Sequence, residues 1–582
     1  MTGRHIFGAK KQFSRQELVF FILFCSAIVF SVWKCKYGFG GNDEAFYLTI
    51  PHRLTLSDSL LTDEWHVSQL SGLLLFPLVR LYVLIFKSTD GILLFFRYLY
   101  IAFHTAVSVV LYLRLKKFNK SGAAVASLLF YLFTPYNIMA LSYNTMGLDL
   151  MALTCVLLST MAQSDRKTPL LCGVLFSGAV LCNPYLALVY LFYTLVVFAA
   201  VIYRKAKRLA GFSLPLGLTV RSWFSFSIGV IISAAAFLLF LFSRTSVSRL
   251  LQNLPFLLKD PEHAVGPTMD RLKAYVKAIL NYNIFLKYAL PAYLLFLIII
   301  LTDRKRAAHR YLYLFISSAF MLTCLITFLH HLLVYHYNAI MFAPSLLGLP
   351  AYLLANKKEK SLFALTWIPG ILYSVCMSFS SNQYFYVISM ALAVSDIAAV
   401  IFIVNIIGEL RQERGKMQTA AVIVLSAMLC FQLGVQLYAK AGHVYKEPGG
   451  IPSLTATIQD GPAKEITTTS ENAESYGATY RDIAEIKGKG RTVLFATKKT
   501  WCYLADSSLH YGTFSAWLSG ETPAAYERLL EYYRLHPDKI PDYIYIPKDS
   551  QWDLSGLQGI AAQYGYTVRE SDFSYKLEKA GS

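Results

Sequence analysis

Residues 18–54 read LVFFILFCSAIVFSVWKCKYGFGGNDEAFYLTIPHRL, and this stretch decides the fold class. From Leu18 to Trp33 there is no charged residue, as expected of a membrane-crossing helix. The next residues, Lys34-Cys35-Lys36-Tyr37, offer no small-x-small cleavage site, so the segment reads as a retained signal anchor. An acidic pair, Asp43 and Glu44, follows it. Carboxylates there are costly inside hydrocarbon and useful at the membrane–water boundary, where a lipid-linked substrate presents its head group. The plain alternative is a solvated loop acid.

Composition sets the class for the whole chain. The 582 residues are 55% hydrophobic and only 15% charged, against about 25% charged in an ordinary soluble domain. The chain therefore reads as an α-helical polytopic membrane protein. Its net charge of +19 does not point to nucleic acid, because the Lys and Arg residues cluster in short loops between apolar runs. Most of the nine cysteines fall within apolar runs, and only Cys35 and Cys502 are placed to face outward. Their spacing suggests neither a metal site nor a disulfide framework.

Fourteen apolar segments are readable, centred near residues 26, 78, 102, 130, 154, 176, 193, 231, 294, 319, 347, 370, 395 and 428. If all crossed, basic loops would fall on both sides. If residues 70–86, which carry Pro77 and Arg80, lie along the surface as an interfacial helix, about thirteen spans remain. The N-terminus, Arg114–Lys120, Arg166-Lys167, Arg204–Arg208, residues 303–306, Lys357-Lys358 and residues 411–416 then share the inner face. The opposite turns near residues 135–144, 183, 330–338 and 380–383 hold no Lys or Arg. This pattern predicts a cytoplasmic N-terminus, with Asp43 and everything after about residue 438 outside.

Residues 1–437 thus form the expected membrane domain, and residues 438–582 a small extracytoplasmic α/β domain. ITTT, TVLFAT and YIYI read as short strands, and NAESYGATYRDIAEI and AAYERLLEYYRLH as amphipathic helices. That domain is either a structural cap or a contributor to acceptor recognition. Two outer loops, residues 34–87 and 243–283, break the otherwise cation-free outer surface. Their cations suit a lipid phosphate leaving group, or simply the head groups of anionic lipid.

Four pieces of sequence, in order, resemble the C-type (GT-C) superfamily of integral-membrane glycosyltransferases. The similarity is to the branch holding protein O-mannosyltransferases and the lipid A aminoarabinose transferase. DEAFYLTIPHRL (43–54) resembles that branch's Asp-Glu motif after the first span. LSGLLLFPLVRLYVLIFKSTDGILLFFRYLYI (70–101) resembles its interfacial helix followed by a span opening near an Arg, here Arg97. GVLFSGAVLCNPYLAL (173–188) resembles a span ending in Lys or Asn, here Asn183. VYHYNAIMFAPSLLG (334–348) resembles an Arg-Tyr span, with His336 in place of the Arg and Tyr337 following. The family's second outer acid is matched by Asn144, with Asp149 about one turn deeper.

The resemblance implies inverting transfer of a sugar from a polyprenyl-phosphate donor to a hydroxyl on an extracytoplasmic glycolipid, cell-wall polymer or protein. It makes the protein a multi-pass enzyme of the plasma membrane, with the bilayer as partner and no nucleic acid. A hydroxyl is a poor nucleophile, so a carboxylate must take its proton, and Asp43 is the expected base with Glu44 in support. His66, Arg80, Lys87, Arg97, Asn144, Asp149, Asn183, His336 and Tyr337 are the expected substrate contacts. Arg97 has a plainer alternative as a snorkelling or helix-pairing residue. The sequence requires no cofactor. A divalent metal would fall to Asp43, and Asn144 in the second position weakens the case for one. The competing readings are a transporter or flippase of a lipid-linked intermediate, for which no internal repeat is visible, and a non-catalytic wall-assembly protein.

Overall fold

The apolar runs leave backbone groups no partner but their own chain, and each of the fourteen segments is helical. The computed structural model describes residues 15–580 except 163, 208–218, 259–267, 283, 303–305, 331–335, 382, 384, 414, 448, 519–522, 551 and 553. Ten helices in it are long and apolar enough to cross a membrane, from Glu17–Lys34 to Lys416–Gly442. Three shorter apolar helices, Lys120–Leu132, Lys167–Cys182 and Ala339–Leu354, lie among them. The chain is a polytopic membrane protein with a C-terminal sheet region. By length and composition alone Gln69–Phe86 is one of the ten, so hydropathy does not separate it from a span.

Helix ends meet in two groups. At one end Lys34 Nζ donates to the His443 carbonyl at 2.6 Å and Asn137 Nδ2 donates to the same oxygen at 2.7 Å. There, too, Arg244 Nη1 donates to the carbonyls of Leu54 (2.8 Å) and Asp58 (3.0 Å). At the other end Lys117 reaches the Thr160 carbonyl (2.8 Å), Asn119 bonds Asn405 (2.7 Å) and the Asn356 N–H donates to Glu409 (2.9 Å). Small residues set the closest crossing. A Cβ on Gly173 would stand 2.1 Å from the Phe226 carbonyl oxygen, and one on Gly229 2.2 Å from that of Leu170. Only glycine permits this backbone-to-backbone approach between Lys167–Cys182 and Val220–Phe242.

After Gly442 the chain forms a five-stranded sheet in the order His510–Tyr511, Thr492–Phe495, Tyr543–Pro547, Ser574–Lys579, Tyr566–Glu570. The first three strands are parallel, and the last two are an antiparallel hairpin. Helices Ser470–Asp482, Pro523–Leu535 and Leu554–Tyr564 accompany them. The expected ITTT strand shrinks to Thr467–Thr468, paired with Ala456–Thr457. The Tyr566–Lys579 hairpin was not expected. Its first strand is mostly exposed, so it lacks the apolar alternation that marks a half-buried strand.

This region is bolted to the first loop by buried charge. Arg53, 1% exposed, bonds Asp58 (2.8 Å), Glu64 (2.7 Å) and the carbonyls of Asp63 (2.8 Å) and Thr513 (3.0 Å). Lys539 bonds the second Asp58 oxygen at 2.5 Å. Arg249 spans Asp63 (3.0 Å) and His536 Nδ1 (2.6 Å), and His536 Nε2 donates to Asn253 at 2.9 Å. Trp65, fully buried, stacks between Phe256 and Phe514 with centroids at 4.7 and 5.3 Å. Removing either partner of such an ion pair strands a charge without solvent, so the cluster fixes the geometry of the interface.

Both ends of the Gly72–Phe86 helix meet this same sheet region. Before it, the Trp65 N–H donates to the Phe514 carbonyl at 2.8 Å. After it, the N–H groups of Gly91 and Leu93 donate to the carbonyls of Gly461 (2.9 Å) and Pro462 (3.1 Å).

Candidate functional site

The loop GFGGN carries the chain into the Asp43–Thr55 helix, and two of its glycines adopt left-handed backbone, Gly38 at φ +92° and Gly41 at φ +69°. Gly38 also lies against the segment that leaves the last long helix, where an added Cβ would stand 2.1 Å from Val444 Cγ1. The loop and the strap 443–447 are thereby pressed together. Glu447 secures the contact by accepting from the Phe39 N–H (2.6 Å), Thr468 (2.5 Å) and Asn472 (3.0 Å).

Asp43 is the first residue of its helix, where the free N–H groups and the helix dipole favour a carboxylate. It meets two side chains of the strap. Lys446 Nζ stands 2.8 Å from Asp43 Oδ2, and the Tyr445 hydroxyl donates to the same oxygen. Lys446 is a non-glycine residue at φ +55°, its ammonium 5.2 Å from the Tyr445 ring centroid. The Asp43 and Lys446 side chains are 21% and 36% exposed, so this ion pair opens to solvent while the acid beside it does not. Sequence reading missed Tyr445 and Lys446. Neither carries a local signal, since both lie about 400 residues from Asp43 in the chain.

Glu44 points inward, and Arg97 grips it. Nε and Nη2 reach the two carboxylate oxygens at 2.5 and 2.6 Å, and the remaining donors go to the carbonyls of Cys35 (2.7 Å), Gly38 (2.7 Å) and Tyr37 (3.4 Å). A cavity of about 30 Å³ lies among Arg97, Glu44, Asn137 and Tyr445, room for a water but not for a sugar phosphate. Arg97, expected to contact phosphate, spends these donors within the protein. Its fork is filled by Glu44 and backbone, which holds the Asp43 loop in place.

The other expected contacts scatter. His66 Nδ1 accepts from the Ser68 N–H (3.1 Å) and pairs with the Ser68 hydroxyl (2.8 Å), its ring edge-on to Phe46. Arg80 and Lys87 are exposed on and just after the Gly72–Phe86 helix. The Arg80 guanidinium shares the Phe76 ring with Arg244, at 6.0 and 5.1 Å from its centroid. Because Arg244 bonds the Leu54 carbonyl, it sits about 16 Å along the helix from Asp43, which is too far for one phosphate to touch both. Asn144 adjoins Tyr143, whose ring packs on Tyr47 at 5.7 Å, and the buried Asn144 Oδ1 has no hydrogen-bond partner among the described residues. Asp149 is buried against His104 at 2.7 Å. Asn183 accepts from the Tyr185 N–H (3.1 Å) and donates to Ser380 (3.3 Å), so it ties two helix ends together. His336 and Tyr337 open the His336–Met341 3₁₀ helix, and their side chains lie outside the described residues.

Asp43 does not fit a divalent cation. A metal site needs several converging oxygen or nitrogen ligands, and no three His, Cys, Asp or Glu side chains converge among the described residues. Asp43 faces an ammonium and a phenol, and its neighbour Glu44 is spent on Arg97. Cys35 and Cys502 are both buried, which pushes their thiols up to about 11 and about 12.

No family model matches the sequence, and no curated protein matches it. Among solved structures the chain is similar to an Archaeoglobus fulgidus oligosaccharyltransferase tethered to an acceptor peptide with an NVT sequon. The identity is 10%, the TM-score 0.41, and the match covers 97% of this chain and 74% of that one.

Proposed function

We propose that this protein is an inverting integral-membrane glycosyltransferase that moves a sugar from a polyprenyl-phosphate donor to a hydroxyl of an extracytoplasmic glycan, glycolipid or protein. The reading rests on the resemblance of its motifs and on one structural observation. A solvent-open carboxylate, Asp43, and a solvent-open ammonium, Lys446, stand together where the helix ends meet the sheet region.

In this mechanism the acceptor oxygen attacks the anomeric carbon while Asp43 takes its proton. The bond from that carbon to the phosphate oxygen breaks, and the electron pair leaves with the lipid phosphate. Lys446 turns from Asp43 to that developing charge, and the Tyr445 hydroxyl stays on the base. A cation poised in a partly dry site stabilises a leaving oxyanion far more than one in water. Glu44 and Arg97 are positioning residues. Arg80 and Lys87, farther out on an interfacial helix with exposed Leu81, Leu84 and Ile85, serve the phosphates of the surrounding bilayer.

The topology follows the same reading. Thirteen helices cross, and the Gly72–Phe86 helix lies on the surface, supported by the bonds that tie the chain at both its ends to the sheet region. The basic loops belong to the cytoplasm and residues 438–582 to the outside, supported by loop charge.

The test is a donor screen. Protein purified into lipid nanodiscs receives radiolabelled polyprenyl-phosphate sugars and envelope acceptor fractions, and label is expected in the acceptor. Movement of intact labelled lipid across a vesicle membrane, with no cleavage, would replace this reading with that of a transporter.

A further inference from the structure

The sheet region carries a cleft of about 840 Å³, in the size range of ligand sites. One wall is the Ser470–Asp482 helix, which turns the small residues Ala473, Gly477 and Ala478 toward it. The opposite wall comes from Lys548-Asp549 after the central strand and from the hairpin turn at Asp572-Phe573. Tyr545 also lines it, and Phe573, at the turn, is 59% exposed.

The lining chemistry narrows the ligand. Arg481, Lys499 and Lys548 are matched by Glu474, Asp549 and Asp572, so the charges cancel. Two of the cations are already paired, Lys499 with Asp549 at 3.1 Å and Lys548 with Glu570 at 2.8 Å. A balanced rim has no net field for phosphate or nucleic acid, and its charged side chains do not suit a lipid tail. What it offers is forked donors and acceptors for hydroxyls, with an aromatic face for the apolar side of a pyranose ring.

The cleft is also wired to Asp43. Lys499 precedes Thr500, whose hydroxyl donates to the Asn42 carbonyl at 2.6 Å, one residue before the base. On the helical wall Asn472 bonds Glu447, the neighbour of Lys446, at 3.0 Å.

We propose that this cleft binds an uncharged saccharide chain and, resting on the transferase reading, that the chain is the acceptor. The experiment uses the full-length protein in nanodiscs with an array of defined short oligosaccharides, read by saturation-transfer NMR and, where transfer is found, by acceptor KM. Phe573→Ala and the filling variant Ala478→Trp are expected to weaken saccharide binding at least about tenfold, the scale for losing one well-placed aromatic contact. They should raise acceptor KM alike and leave donor KM and melting temperature unchanged, while Asp43→Asn should bind saccharide normally. Saccharide binding lost in the cleft variants of a protein that transfers nothing supports the cleft and refutes the transferase reading. Binding and KM unchanged in both variants overturns the cleft, and so does a preference for peptide or acidic ligands over uncharged saccharide.

Discussion

Arg97 holds both oxygens of the Glu44 carboxylate, at 2.5 and 2.6 Å, and gives its other donors to the loop that carries Asp43. The pair is 53 residues apart in sequence and buried at the point where the first helical hairpin meets the strap after the last long helix. Its worth lies in geometry, since a buried ion pair gains little net energy but is costly to break.

Arg97→Ala should therefore act through stability. Leaving Glu44 buried and unpaired costs about 3–5 kcal/mol, and thermal unfolding of the purified variant should show a lowered midpoint. Replacing both residues together, Arg97→Met with Glu44→Leu, should recover much of that loss. An unchanged midpoint with a raised donor KM would return Arg97 to the phosphate.

Lys446→Met should do the reverse. The ammonium is partly exposed and its loss leaves no buried partner, so the midpoint should hold. Transfer should fall about a hundredfold, the scale for removing one group that stabilises a developing oxyanion. Transfer within a few-fold of wild type would remove Lys446 from the mechanism.

Attachment of the sheet region should weaken in acid. His536, which accepts from Arg249, donates to Asn253 and lies 3.5 Å from Asp63, is held down to about 4 by burial and then by Arg249. His52, bonded to Tyr511, is held down to about 4 by burial, against the opposing pull of Asp506 and Asp58. Both stay neutral when folded, whereas the freed imidazoles take protons below about 6.5. Their stabilisation is thus complete above that value and lost as pH falls toward 4. Asp63 and Glu64, raised by burial, run the other way, so the readout is a difference between proteins. Melting midpoints between pH 7 and 4.5 should drop less for His536→Gln than for wild type. Parallel curves would contradict this.

The surface helix has a labelling test. Lys120→Cys should resist an impermeant thiol reagent in intact cells, and Ser381→Cys should react. Labelling at Lys120 would overturn the thirteen-span arrangement.

Hydropathy and loop charge made much of this legible in the sequence. Each apolar segment is a helix, because in a bilayer no other open structure satisfies the backbone. Asp43 could be located because it lies in the short loop soon after a charge-free run. Its partners could not, because Tyr445 and Lys446 lie about 400 residues later and reach it only when the first and last long helices end side by side. Arg97 looked like a free cation because its sequence neighbours are apolar, and only the fold brings Glu44 beneath it. Arg53, Asp58, Asp63 and Glu64 fall in the first outer loop by sequence, yet all four are buried, with Arg53 bonded to Thr513 and Asp58 to Lys539, contacts that no local pattern encodes.

The account turns on Asp43 as the base. Asp43→Asn keeps the shape and the Tyr445 contact but cannot accept a proton, so purified variant and wild type should have equal melting midpoints and bind donor alike. Transfer from polyprenyl-phosphate sugar by the variant should be lower by at least about a hundredfold, the scale of general-base catalysis. Near-normal turnover by Asp43→Asn would contradict it.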